Sequence, residues 1–435
     1  METKNFPRPK PHASSGTTGL LRTTCVMRLL LLVLLMLPAV VQAQFDYTTE
    51  NGTITITRYT GPGGVVAIPD TIDGLPVTSI GSLAFYGRTN LASVTIPDSV
   101  INIGEGALRG CTSLTSVTIG SGVTSIGDSA FYDCASLTNV TIPDSVTSIG
   151  DAAFWGCTSL TSVTIPGSVT IIGDYAFGGC TSLTAITVDV DNSTYGSVDG
   201  VLFNKSQTRL IRCPGDKTGS YTIPIGVISI GEWAFDGCYS LTSVTIPSSV
   251  TTIGKAAFAH CSSLTSVTIP SSVTSIGDQA FQHCRSLTSI TIPGNVTIIY
   301  RLAFYGCTSL NGVYFQGNTP SFGSSLFGGN TPATVYYLPG TTGWGPTFGG
   351  RPTAPWLLPN PLILNNGPRF GVRTNQFGFV ISWATNASVV VEASADLAQP
   401  VWIPVGTNTL TDGSSYFSDP QWTNHPARFY RLRSP

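Results

Sequence analysis

Six acidic residues recur on a fixed beat. Glu105, Asp128, Asp151, Asp174, Glu232 and Asp278 each stand two positions before an alanine, and Lys255 and Arg301 take that place in two further copies. Carboxylates in such a ladder could gather divalent cations. They could equally begin helical turns, where the local dipole favours negative charge, and that structural role is the expectation. His260 and His283 lie 23 residues apart and become neighbours if the chain stacks. Two imidazoles without a third donor do not make a zinc site, so no metal or other cofactor is expected. Residues 189–192 read Asp-x-Asp-Asn, but the glycine and closing glutamate of a calcium loop are missing, and a turn is expected instead. Neither a nucleophile elbow nor a phosphate loop is present. The chain is therefore not expected to be an enzyme.

Cysteines keep the same beat at Cys111, Cys134, Cys157 and Cys180, then at Cys238, Cys261, Cys284 and Cys307. Equivalent residues on successive rungs point the same way, which is poor geometry for a disulfide. Buried free thiols acting as small hydrophobes are expected. Tyr132, Trp155, Tyr175, Trp233 and Tyr305 vary between copies, and read either as rim packing or as a second recognition surface.

All of these residues must be positioned by one repeating unit. The segment at 137–157 recurs in near copies every 23 residues, marked by Ala-Phe pairs such as Ala130/Phe131, Ala153/Phe154 and Ala176/Phe177. A unit of that size cannot bury its own apolar face, so copies must stack into a solenoid. Within one unit, Leu160, Val163 and Ile165 point to one face of a short strand, and Pro166 ends it for want of an N–H. Val169 and Ile172 continue the apolar stripe. Asp174 then precedes a helical or 3-10 turn carrying Ala176, Phe177 and Cys180 on one side. The fold expected is a mostly β solenoid of 23-residue rungs, followed by a small all-β sandwich.

The unit resembles the BspA-like leucine-rich repeats of bacterial surface proteins, and residues 241–261 and 264–284 follow that pattern almost letter for letter. The resemblance covers roughly residues 45–338. One departure is that Ser99, Ser145, Ser168, Ser248 and Ser271 stand where asparagine usually bridges neighbouring loops. The resemblance implies adhesion to host or matrix proteins and to other cells, without identifying a ligand.

Along the chain, residues 1–43 read as a polar extension and a secretory signal, with an apolar run at 29–37 too short to span a membrane and small residues at Val41-Gln42-Ala43. Translation could begin at Met27. Residues 44–87 read as an N-terminal cap and 88–312 as the solenoid, interrupted at about 189–217 by a projecting hairpin with turns at Asp199-Gly200 and Asn204-Lys205. Residues 313–368 read as a C-terminal cap and Pro/Gly-rich linker, and 369–435 as a β domain. That tail resembles the short β domains ending many secreted proteins of environmental bacteria, on the region of Trp402 and the final Phe429-Tyr-Arg-Leu432.

Charged residues make up only 10% of the chain and the net charge is −2, so no nucleic-acid partner is expected. The solvent face of the sheet should carry Ser116/Thr118, Asn139/Thr141, Ser162/Thr164, Ser243/Thr245, Ser266/Thr268 and Ser289/Thr291. Stacked about 4.8 Å apart between rungs, these make a flat hydroxyl array. It is either a solvated sheet rich in β-favouring residues or a platform for a protein or glycan ligand. The function expected is an exported, monomeric binding protein at the cell surface or in the medium. The alternative is a self-associating envelope or matrix scaffold.

Overall fold

The computed structural model describes residues 44–434 apart from 330, 357–359, 366–368 and 375. The expected signal peptide and Cys25 lie outside these residues. The described chain is a β-solenoid followed by an all-β C-terminal region.

Each rung has three walls. The first is a strand such as Ser162–Ile165, which pairs in parallel with Ala185–Val188 so that Ser162 faces Ala185, one rung on. The second is the two-residue strand Ile171–Ile172, in register with Ser148–Ile149 of the rung before. Between the two strands the chain bends at a Pro-x-Ser-Val corner, where Val169 N–H returns to Pro166 O at 3.3 Å.

The third wall differs from the helical turn expected of it. Among the described residues the only helix is the 3-10 turn Trp422–Asn424. In the wall proper, Ala153, Trp155 and Cys157 donate to Gly150, Ala152 and Phe154 of their own rung. The residues between them, Ala152, Phe154 and Gly156, donate across to Asp174, Ala176 and Gly178 of the next rung, each at 2.8 Å. Alternate amides are thus taken by a neighbouring chain, which leaves no run of i to i−4 bonds and hence no helix. Three successive turns result, with φ of 52° at Ala152 and 73° at Gly156 as the third residue of a type II turn requires.

The side chains that point inward form columns. Phe131, Phe154 and Phe177 stack with ring centroids 5.1 and 5.5 Å apart, and Phe235, Phe258, Phe281, Phe304 and Phe327 form a second stack. All nine described cysteines are buried and free. The thiols do more than fill space. Cys157 donates to Phe131 O at 3.2 Å and Cys284 to Phe258 O at 3.1 Å, a bond that recurs down the column. At the end of the column Thr331 replaces cysteine and its hydroxyl takes Phe304 O at 3.1 Å.

The excursion does not project as expected. Tyr195–Val198, Val201–Asn204 and Arg209–Arg212 form an antiparallel meander whose last strand pairs in parallel with Ser229–Ile230, so it is spliced into the second wall. Val201, Leu202 and Phe203 are fully buried, and the solenoid core divides here into two clusters. An apolar triplet at the centre of the meander drives it into the stack rather than out into water.

At the N-terminus Phe45–Glu50 folds back on Thr53–Tyr59, and the Tyr59 ring covers Phe85 at 5.0 Å. At the other end, part of the expected linker is sheet: Arg351–Pro355 adds a parallel strand beside Thr334–Tyr337. Beyond it, one sheet holds Leu362–Leu364, Gly371–Arg373, Gln376–Ser382 and Ser414–Asp419, and a second holds Ser388–Ser394, Ile403–Thr409 and Phe429–Arg433. Phe379, Ile381, Val389, Val391, Leu410 and Phe417 make their common core.

Candidate functional site

The first wall turns its hydroxyls outward. Ser116, Thr118, Asn139, Thr141, Ser162, Thr164, Thr245, Ser266, Thr268, Ser289 and Thr291 are exposed and Ser243 is half-buried. Val163 and Ile165, which alternate with them, are buried. Successive rungs hold the array in register, with Ser243 facing Ser266 and Thr245 facing Thr268.

A neighbouring threonine column behaves differently. Thr115, Thr138, Thr161, Thr184 and Thr265 each donate their hydroxyl to the carbonyl of the residue 23 positions earlier, at 2.9 to 3.3 Å. These hydroxyls belong to the fold. Of the twelve side chains on the outward face, Thr164 alone has a side-chain hydrogen-bond partner, Thr187 at 2.9 Å. The rest keep their full bonding capacity for solvent or ligand.

The other sequence-marked residues are largely absorbed by the stack. Asp128 Oδ1 accepts Asp151 N–H at 2.8 Å and Asp151 Oδ1 accepts Asp174 N–H at 2.7 Å, so these carboxylates tie rung to rung instead of capping helices. Asp278 pairs with Arg301 Nε at 3.0 Å. Among the described residues no group of three or more His, Cys, Asp or Glu is arranged to hold a metal. His260 and His283 do become neighbours, with ring centroids 5.2 Å apart, and Asp236 Oδ1 lies 2.9 Å from His260 Nδ1. Burial, then His260, then Arg285 lower the pKa of His283.

Tyr132 lies between Trp155, stacked at 5.0 Å, and the Arg109 guanidinium, 4.4 Å above its ring. Both ring faces are used, which makes this pair packing at the rim. Tyr175 and Trp233 come from rungs on either side of the excursion and meet edge to face at 5.1 Å. Burial pushes the Cys111, Cys180 and Cys307 thiols up to about 12, so none is a thiolate at neutral pH.

Two residues of consequence were not singled out from the sequence. Asn192 is wholly buried, donates to Pro166 O and Val169 O, and accepts the N–H groups of Thr194 and Tyr195. It holds the bridging place that Ser145 and Ser168 hold through a single bond to Val123 O and Val146 O. In the two copies with paired serines the bridging residues are Ser249 and Ser272, not Ser248 and Ser271. The count from Pro166 to Ser168 marks Asp191 one rung on, one residue short of Asn192, so spacing alone misses it. The second residue is Arg212, 5% exposed, whose guanidinium donates to Trp233 O at 2.6 Å and Asp236 O at 2.9 Å. An arginine inside the apolar stretch Leu210-Ile-Arg-Cys213 was the available signal.

The BspA type leucine-rich repeat region, in six copies, matches residues 78–208 and 215–333. The chain belongs to this family. A comparison with curated proteins finds no match. Among solved structures, a leucine rich cell surface protein from Faecalibacterium prausnitzii is 32% identical, with 68% of this chain and 93% of that one aligned and a TM-score of 0.46. The pneumococcal vaccine antigen PcpA is 23% identical over 68% of this chain and 92% of its own, with a TM-score of 0.52, and shares the fold. A leucine-rich repeat protein of T. pallidum is 30% identical over 51% of this chain and 88% of its own, at a TM-score of 0.37. No helix of the described residues is long and apolar enough to cross a membrane.

Proposed function

We propose that this chain is an exported, non-catalytic surface protein that binds protein or glycan ligands through the hydroxyl face of its first wall. One observation carries the reading: two adjacent Ser/Thr columns exist, one spent on rung-to-rung bonds and the other, on the outward face, almost entirely unbonded. A flat array of donors and acceptors repeated at strand spacing suits many weak contacts whose sum is avidity. Membership of a surface-protein repeat family supports export.

The test is a glycan and matrix-protein array probed with the chain from residue 44, beside a variant carrying Thr118→Lys, Thr164→Lys, Thr245→Lys and Thr291→Lys. Binding should fall in the variant while the thermal unfolding midpoint holds. Deleting single rungs should weaken it step by step. Unchanged binding by the lysine variant would sink the assignment to this face. Concentration-dependent light scattering from the purified chain without any ligand would favour a self-associating scaffold.

A further inference from the structure

Eight rungs each pass three amide N–H groups forward across the turn wall, as Ala152, Phe154 and Gly156 do to Asp174, Ala176 and Gly178. The rung at 174–180 passes on none. Tyr175, Phe177 and Gly179 N–H meet no protein acceptor, although Phe177 is buried. The Asp174 carboxylate receives no amide either, whereas those of Asp128 and Asp151 each hold the N–H of the next rung. The cause is the excursion. The chain leaves the third wall for the meander and returns as Arg212-Cys213-Pro214-Gly215, too short to rebuild three turns.

The downstream side of the same gap is taken at two of its three backward-facing carbonyls, Ala234 O and Asp236 O, and left open at Glu232 O. Cys213 N–H takes Ala234 O at 2.7 Å, and the Arg212 guanidinium takes Trp233 O and Asp236 O. An open edge rich in donors therefore faces a mostly closed one. The space beside it is a cavity of about 300 Å³ lined by Phe177, Arg212 and Glu232, and a groove of about 850 Å³ lined by Gly179, Gly237 and Tyr239. Tyr175 and Trp233 line both. Arg212 Nε, buried and unpartnered, adds one more donor.

We propose that this open rung edge is a docking site for an extended peptide segment of a partner protein. The segment supplies three carbonyl oxygens to Tyr175, Phe177 and Gly179 N–H and one N–H to Asp174, while its side chains pack on Tyr175, Trp233 and Tyr239. Hydrogen-bond complementarity selects the occupant. In the eight rungs that have a full turn wall after them these groups are taken by a main chain presenting carbonyls at alternate residues, so the edge is preset for polypeptide, as an unpaired strand edge is. Phe177 N–H, in a buried residue, and the buried Arg212 Nε are left without acceptors and give the binding free energy a source. The site lies on the turn wall and does not depend on the hydroxyl face.

The experiment uses the full chain and an array of acetylated, amidated heptapeptides of randomised sequence. Without peptide, hydrogen exchange at residues 173–181 should be at least about tenfold faster than at 150–158, because exchange follows local opening. Peptides taken from the array should slow exchange in 173–181. Trp233→Ala and Tyr239→Lys should each weaken them about tenfold, as loss of an aromatic anchor does, while Thr245→Lys changes nothing. Tyr239 is 47% exposed, so its variant leaves folding intact and keeps the test decisive if the Trp233 variant unfolds. Equal exchange in the two segments, no peptide bound, protection of another segment, or protection of 173–181 by a glycan alone would each overturn the proposal.

Discussion

Arg212→Met separates the two halves of the solenoid at a chosen point. The arginine is 5% exposed and its guanidinium holds Trp233 O, which also accepts Asp236 N–H, and Asp236 O, which has no other donor and which a regular rung would satisfy with a main-chain N–H. Methionine keeps the apolar stem and removes both bonds. Asp236 O, left without a donor, costs about 1–3 kcal/mol, while Trp233 O keeps Asp236 N–H. Losing the charge returns part of its desolvation cost, so a net loss of about 1–2 kcal/mol is expected. That loss falls on a single junction, because each rung touches only its neighbours and the core already divides here into two clusters. Urea unfolding followed by far-UV circular dichroism should therefore change from one transition to two, with the 215–338 half and the 44–210 half melting apart. Arg212→Lys, a single point donor, should restore about half of the loss. A variant that unfolds in one transition within about 0.5 kcal/mol of the parent, the range of an ordinary surface substitution, would refute the reasoning.

Other consequences are as direct. Asn192→Ala removes four bonds to main-chain groups at a wholly buried site, with Pro166 O keeping Val169 N–H, and should destabilise by about 3–5 kcal/mol in chemical denaturation. The buried thiols titrate far higher folded than unfolded, so their contribution is complete below an unfolded thiol pKa of about 8.5 and is lost as pH rises towards 12. Stability measured from pH 7 to 11 should fall through that window, and dithionitrobenzoate should label the native chain at pH 8 only after denaturant is added. Glu392 is held below the usual carboxylate range by hydrogen bonds from Arg431 and then Arg433. Its contribution is present above the unfolded pKa of about 4.3 and lost as pH falls, so near-ultraviolet signals of the C-terminal sheets should decay in acid before those of the solenoid.

The period, the inward columns of Leu, Val, Ile, Phe and Cys, and the outward placement of Ser162 and Thr164 were all legible in the linear chain, because alternation along a strand and a fixed repeat leave one way to hide apolar surface. The nature of the third wall was not. Asp, Ala and Phe at three- and four-residue spacing satisfy a helical template equally well, and only the neighbouring rung, by bonding alternate amides or, at 174–180, alternate carbonyls, turns the segment into successive turns. The excursion was misjudged for a related reason. Its length and turn residues marked a hairpin, but whether Val201-Leu-Phe203 meets water or the core depends on what lies beside it. So it was with the gap at Tyr175, Phe177 and Gly179: periodicity located the interruption, while stacking alone determined which of its two edges Arg212 would close and which would stay open. A repeat writes its interior into the sequence, where each residue answers to its own rung. The edges belong to pairs of rungs, and no single rung encodes them.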